Sequence, residues 1–441
     1  MYLKSFTQKN FELHIEKFYK KFLKKNKSFQ EDYHGISAVD IFYDQNKIAR
    51  ILNKLIKNGQ YSFDPPIEKN IYTGKKKRHI FSYSTLDNLV QSVLYEHLSA
   101  CSNKFIFPNV YSYIKGKSSY QAVAHFLKYI RKVRKNNKID VFVLRGDIFE
   151  YTDSIPIGKS SFVWKIFEQL LVHLPEQEKK YFLKLITHLL RPELKTSDGF
   201  EYQKIIGIPT GNSISTLVAN LYLLELDHYF SQIPDSFYAR YGDDFFFAHT
   251  NLQHFLQAKQ EMLNVIKKLE LRLNESKNHC FYFTKAGKKL HFEGDKVDEI
   301  IGTNKINFLG YQIYAEGSYS PSCVVFKKII RNITARVKNT NAIFSHLDSS
   351  ERGKILCQSV NNMFNLEHSF CMPEVKILLN KVTNRGYLKN LDYEIALTIS
   401  EAVSGEKGVR SWRKISYQTV RQQWGLISLC QLKNNYNLIK Q

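Results

Sequence analysis

Three aspartates carry the first chemical signal. Asp243 and Asp244 stand side by side in FYARYGDDFFFAH (237–249), between two runs of apolar, strand-forming residues. Neighbours on a strand point to opposite faces. Both carboxylates therefore reach one centre only from the tight turn of a hairpin, which Gly242 permits. Burying adjacent carboxylates is costly without cations, and Mg²⁺ is a hard ion suited to carboxylate and phosphate oxygens. Asp147 ends another apolar run, VFVLRGDIF (141–149), which reads as a buried strand. A third carboxylate from a neighbouring strand completes a clamp for two Mg²⁺ ions, with Mn²⁺ as the substitute. One ion would serve an attacking 3′-hydroxyl and the other a leaving pyrophosphate. A Gly-Asp-Asp turn alone is common on protein surfaces; its place between two apolar strands is what favours chemistry.

The elements that must position these groups follow from pattern. Residues 1–60 are Lys-rich and helical, and in 11–29 Leu13, Phe18, Phe22 and Leu23 fall near one face among lysines. That polar face is either solvated or tracks phosphates. IYT and HIFSY flank a basic turn after Pro65 and Pro66 and read as a hairpin. IIGIPTGNSIS (205–215) is a Gly/Pro loop, 216–230 a helix, and INFLGYQIY (306–314) a strand pair. From about 320 onward the pattern is helical and basic. Boundaries at 1–140, 141–315 and 316–441 separate N-terminal helices with a hairpin, a strand-rich centre and a helical end.

The chain has 441 residues, 43% of them hydrophobic, and a formal net charge of +23 from 64 Lys plus Arg against 41 Asp plus Glu. That is a globular composition with a basic excess suited to nucleic acid. The six cysteines include no CxxC pair, which argues against a structural zinc site. No signal-peptide pattern opens the sequence and no stretch approaches the about 18 apolar residues of a membrane span. The expectation is a cytoplasmic protein with no membrane partner.

Several segments together resemble reverse transcriptases. YGDD resembles that family's YxDD box, GIPTGNSISTLVANLYLLELD (207–227) its GxPQG…LxN…LD segment, and RGDIFEYTDSI (145–155) its first carboxylate box. KKKRHI (75–80) is similar to the fingers hairpin, LELRLNESKN (269–278) to the following box, and NFLGYQI (307–313) to the primer-grip hairpin. The resemblance spans roughly residues 60–315 with order kept. It implies an α+β right-hand polymerase with fingers, an antiparallel-sheet palm and an α-helical thumb.

It further implies that Asp147, Asp243 and Asp244, with the Ile148 carbonyl, hold the metals. Arg78, and secondarily Lys76, would grip the triphosphate, and Lys277 would donate a proton to pyrophosphate. Tyr151, Thr152, Thr210 and Gly211 would line the nucleotide pocket, and Phe308, Leu309, Gly310 and Tyr311 would hold the primer end. The partners implied are an RNA template, a DNA primer or product and nucleoside triphosphates, with an oligomer left open.

Two positions depart from the family pattern. Thr152 stands where a Phe or Tyr usually blocks the ribose 2′-hydroxyl, and Thr210 where Gln is usual. Relaxed sugar selection is one consequence, with Tyr151 able to rotate in as a substitute gate. No ribonuclease H, His/Asn nuclease or integrase-like pattern accompanies the boxes, and the retron Val-Thr-Gly is missing. The chain is most similar to stand-alone bacterial defence-associated enzymes, the unknown group that includes abortive-infection reverse transcriptases. These imply a dedicated non-coding RNA and an antiphage role. Three other readings stay open: a template-independent or protein-primed DNA polymerase, an RNA-dependent RNA polymerase, and a non-catalytic RNA-binding protein. In the C-terminal part, Trp412, Tyr417 and Trp424 are either base-stacking groups or helical core.

Overall fold

The computed structural model describes residues 5–24, 26–73, 76–136, 141–195, 201–203, 206–284, 300–365, 371–372, 378 and 382–439. The chain divides into two compact units, Met1–Ala122 with Phe142–Cys280, and Val123–Val141 with Phe281–Gln441. Strands of the first unit are β1 (Ile67–Thr73), β2 (Lys76–Ser82), β3 (Val141–Gly146), β4 (Glu193–Lys195), β5 (Glu201–Gln203), β6 (Phe237–Tyr241) and β7 (Asp244–His249).

β6 and β7 form an antiparallel hairpin in which Tyr241 faces Asp244, and β7 pairs antiparallel with β3 so that Gly146 faces Phe245. Phe245, Phe246 and Phe247 are all fully buried. A strand covered on both faces reads as a continuous apolar run rather than an alternating one. Burying each ring contributes roughly 2–3 kcal/mol, which secures the hairpin that carries the Asp-Asp pair. Gly146 is required here because a Cβ would lie 2.0 Å from the Phe245 ring. The second sheet runs β2-β1-β4-β5 and is mixed, because β1 meets β4 in parallel while its other pairs are antiparallel.

Helices surround these sheets. Gln8–Leu23 buries Phe11, His14 and Ile15, whereas Leu13 and Leu23 are 46% and 50% exposed. The expected face is thus corrected. The buried stripe recruits a polar residue, His14, whose ring meets Ser92 Oγ at 2.7 Å and Glu96 at 2.5 Å. Apolar counting alone passes over it. The helix expected over 216–230 is two helices, Ser213–Leu221 and Leu224–Ser231. Asn212 caps the first, accepting from the Ser215 N–H at 2.7 Å.

The second unit contains β9 (Ile300–Thr303), β10 (Lys305–Phe308), β11 (Tyr311–Tyr314) and β12 (Tyr319–Pro321), while β8 (His279–Phe283) runs into it from the first. β10, β11 and β12 form an antiparallel sheet. Helices Cys323–Ile343, Ser349–Phe364, Arg385–Ser404 and Leu429–Ile439 follow. Their core includes Ile333, Leu356, Val360, Leu391, Ile395 and Trp424. Trp424 is a core residue: a Cβ at Gly353 would come within 2.4 Å of its indole. Trp412 is half-buried against Tyr393, with Tyr417 exposed beside them. Among the described residues no helix is long and apolar enough to cross a membrane.

Candidate active site

The Asp-Asp pair sits as its neighbours require. Gly242 and Asp243 form a two-residue turn between Tyr241 and Asp244, and of these two only Gly242 has positive φ, at 68°. That is the pattern of a II′ hairpin turn. Asp147 follows the last paired residue of β3, one step beyond the Gly146–Phe245 pair, and so arrives beside Asp244. Strand pairing alone brings the three carboxylates together.

Their electrostatics are those of a site built for cations. Burial pushes the Asp243 and Asp244 carboxyls above the usual range, and the Asp147 carboxylate adds to both shifts. Asp244 Oδ1 is buried with no hydrogen-bond partner among the described residues; Arg145 Nη2 comes to 3.6 Å, an ion pair without a hydrogen bond. Asp147 already meets a cation, since Lys277 Nζ donates to its Oδ2 at 2.8 Å. Its Oδ1 accepts from Asn274 at 3.0 Å, and the Asn278 Oδ1 accepts from its N–H at 3.0 Å. An orphaned buried carboxylate oxygen, two raised carboxyls and a lysine standing in as counter-charge fit an all-oxygen site for hard divalent ions. Asp147, Asp243 and Asp244 are the residues that would hold them. For Asp147 to take an ion at Oδ2, Lys277 must swing aside.

These groups open onto a cavity of about 610 Å³. Asp147, Ile148, Tyr151, Thr152, Thr210, Asp243 and Lys277 line it, and Ile71, His79 and Ile80 reach it from the hairpin of β1 and β2. Thr152 is half-buried on the wall. Tyr151 also borders the cavity, but its ring is buried and its hydroxyl donates to the Ala219 carbonyl at 2.7 Å. Rotation of Tyr151 into the cavity as a substitute gate would break that bond. Thr210 Oγ1 donates to the His79 carbonyl at 2.5 Å, so this side chain ties the loop to β2.

Gly211 does the same through backbone. It has φ +122°, and a Cβ there would lie 2.1 Å from the Phe81 carbonyl oxygen. The Phe81 N–H in turn donates to the Thr210 carbonyl at 2.7 Å. On its other flank the loop binds the segment after Asp147, the Ile208 N–H donating to the Thr152 carbonyl at 2.8 Å. Ile148 is buried and bridges to Leu273. The side chains of Lys76 and Arg78 lie outside the described residues.

Phe308, Leu309, Gly310 and Tyr311 belong to the second unit. Leu309 and Gly310 form the turn between β10 and β11, with φ of +48° and +81°. Two positive values mark a I′ turn. Phe308 and Tyr311 are buried beneath it, so the turn backbone is what this hairpin presents.

Sequence reasoning missed what holds the Asp-Asp turn. Arg240 is fully buried, and its Nε and Nη2 donate to the Asp227 carboxylate at 2.7 and 2.6 Å. Nη2 also donates to the Asn220 carbonyl at 2.8 Å, and Nη1 to the Gly242 carbonyl at 3.0 Å. Tyr238 donates to Asp227 at 2.8 Å, and Asn220 exchanges hydrogen bonds with Ser112 at 2.9 Å. The turn glycine is thereby pinned to the helix pair that precedes it. Asn220 and Asp227 were visible in their segment; the signal passed over was an arginine at mid-strand in an otherwise apolar run. Tyr113 was also missed. It lines the cavity with φ +56°, a conformation rare for a bulky residue and common at functional sites.

Residues 67–313 match the family model described as reverse transcriptase (RNA-dependent DNA polymerase). A curated relative, an uncharacterized 91 kDa protein in a cob intron of Schizosaccharomyces pombe, is 27% identical over 193 residues. The match covers 43% of this chain and 21% of that protein, so the chain spans about a fifth of the relative's length. Among solved structures, telomerase from Candida albicans in complex with a fragment of telomeric RNA aligns with a TM-score of 0.46 and 11% identity, over 90% of this chain and 69% of that one. Apo telomerase from Candida tropicalis aligns with a TM-score of 0.44 and 14% identity, over 86% and 67%.

Proposed function

The chain belongs to the reverse transcriptase family of RNA-dependent DNA polymerases, which are nucleotidyltransferases, and from that premise we propose that it copies an RNA template into DNA by adding deoxynucleotides to a 3′-hydroxyl. The observation that carries this reading is the convergence of Asp147, Asp243 and Asp244 through the pairing of β3, β6 and β7, with Asp147 and Asp243 lining the cavity. Asp147, Asp243 and Asp244, with the Ile148 carbonyl, would hold two Mg²⁺, or Mn²⁺ in its place. When bound, such ions lower the pKa of the attacking hydroxyl and neutralise charge on the leaving pyrophosphate.

The chain's own residues do the rest. Arg240 fixes the turn that aims Asp243, and Gly211 lets the 207–211 loop approach β2 closely enough to set one wall of the nucleotide pocket. Lys277 holds the Asp147 carboxylate until substrate arrives and then serves as proton donor to the departing pyrophosphate. Arg78, with Lys76 as the secondary candidate, grips the triphosphate, and the Phe308–Tyr311 turn steadies the primer end.

A stand-alone role in bacterial antiphage defence, in the cytoplasm and with a dedicated non-coding RNA, is the biological setting we propose. It rests on the resemblance to the defence-associated group. The test is extension of a labelled primer on an RNA template with Mg²⁺. A DNA product from dNTPs is expected. Extension from NTPs alone would favour an RNA polymerase, and a template-independent product covalently attached to the protein would favour the protein-primed reading.

A further inference from the structure

A second cluster of metal-binding side chains lies among the helices of the first unit. His97 and Cys101 are one helical turn apart on Thr85–Ser102, an i, i+4 pair on one face. His173 joins them from the turn after the helix Phe162–Leu170, held by the buried neighbours Leu171 and Leu174. One ligand atom from each of the three lies within 4.8 Å of the others.

The spacing of His97 and Cys101 is that of two ligands on one ion. Cys101 Sγ lies 3.5 Å from His97 Nε2. Tetrahedral Zn²⁺ with its usual Zn–S and Zn–N lengths puts sulfur and nitrogen about 3.5 Å apart. The other ring nitrogen, His97 Nδ1, is engaged by Ser5 Oγ at 2.7 Å. A hydrogen bond at one imidazole nitrogen orients the ring and leaves the other as the ligand, the usual arrangement behind metal-bound histidines. His173 is exposed, so its rotation to close the remaining distance displaces no core.

We propose that His97 Nε2, Cys101 Sγ and a His173 ring nitrogen bind one Zn²⁺ ion, with a fourth position open to water. Imidazole and thiolate donors select Zn²⁺ over the Mg²⁺ suited to the aspartate site. Cys101 enters as thiolate, and its proton passes to solvent on binding. The ion cross-links the helix Thr85–Ser102 to the 171–174 turn. No CxxC spacing announces such a site, because one ligand comes from a distant turn.

The test is titration of chelator-treated full-length protein with Co²⁺ in excess Mg²⁺, which occupies the carboxylates and gives no thiolate absorption. One equivalent should produce a sulfur-to-cobalt charge-transfer band that Zn²⁺ displaces. Cys101→Ser should abolish the band. His173→Ala, at an exposed position and with an unchanged circular dichroism spectrum, should weaken Co²⁺ binding at least about 100-fold. Absence of the band in the parent protein, its survival in Cys101→Ser, or unchanged affinity in His173→Ala would each overturn the proposal.

Discussion

Replacing Arg240 with Met separates the stability of the Asp-Asp hairpin from its aim. Arg240 and Asp227 are both fully buried, and the guanidinium meets the carboxylate through two hydrogen bonds of 2.7 and 2.6 Å. Met fills much of the same volume but leaves Asp227 charged, buried and served by the Tyr238 hydroxyl. Removing one partner of such a pair costs about 3–5 kcal/mol. At about 1.36 kcal/mol per decade, amides of β6 and β7 should exchange with deuterium about two to four decades faster. Peptide-level hydrogen exchange reads this locally, without requiring the two units to unfold together. The double variant Arg240→Met/Asp227→Leu removes the stranded charge and should recover most of the protection. It still lacks the bond from Arg240 Nη1 to the Gly242 carbonyl. The turn then loses its tether, and single-turnover extension should stay about 10- to 100-fold below the parent. Exchange accelerated by less than a decade in the single variant, or no recovery in the double, would refute the reasoning.

Other outcomes follow from the same geometry. Gly146→Ala puts a Cβ 2.0 Å from the Phe245 ring and should abolish extension, with Phe245→Leu restoring part of it on the same template assay. Lys277→Met leaves Asp147 without its 2.8 Å counter-charge, so the Mg²⁺ concentration for half-maximal rate should fall while the maximal rate drops about 10²-fold or more; a raised Mg²⁺ requirement would contradict this. Thr152→Phe should narrow the pocket and raise the dNTP-over-NTP preference in kcat/KM from less than about tenfold toward a hundredfold or more, and a parent preference above about a thousandfold would show that another residue guards the ribose. Burial pushes the Asp87 carboxyl up to about 6 from 3.8. The folded state then binds the proton more tightly, so this group's contribution to stability is greatest below pH 4 and is lost as pH rises toward 6. The Tm difference between parent and Asp87→Asn should shift against the parent across that window, and a pH-independent difference would refute the assignment.

How much of this was legible in the sequence depends on where the interactions lie. The Asp-Asp turn was readable because a hairpin with a two-residue turn is local, and Gly242 between apolar runs announces it. The approach of Asp147 was readable from the apolar strand before it. The Arg240–Asp227–Asn220 network was not, because its members meet only in three dimensions and a buried arginine looks like a surface one in sequence. His14 misled the reading of the first helix for the same reason: its partners Ser92 and Glu96 sit on another helix. Tyr151 looked free to rotate until the Ala219 carbonyl was seen to hold its hydroxyl. Leu309 gave no sign of its positive φ, since leucine has no preference for it.

The central claim is that Asp147, Asp243 and Asp244 form the cation-binding centre that drives nucleotide addition. It is tested most directly by the single-turnover rate of first dNTP addition on an RNA template, comparing the parent with Asp147→Asn, Asp243→Asn and Asp244→Asn. Each substitution keeps the shape and removes the charge. A loss of at least about a thousandfold is expected for each of the three variants, with primer–template binding unchanged. Rates within tenfold of the parent in any of the three would contradict the assignment.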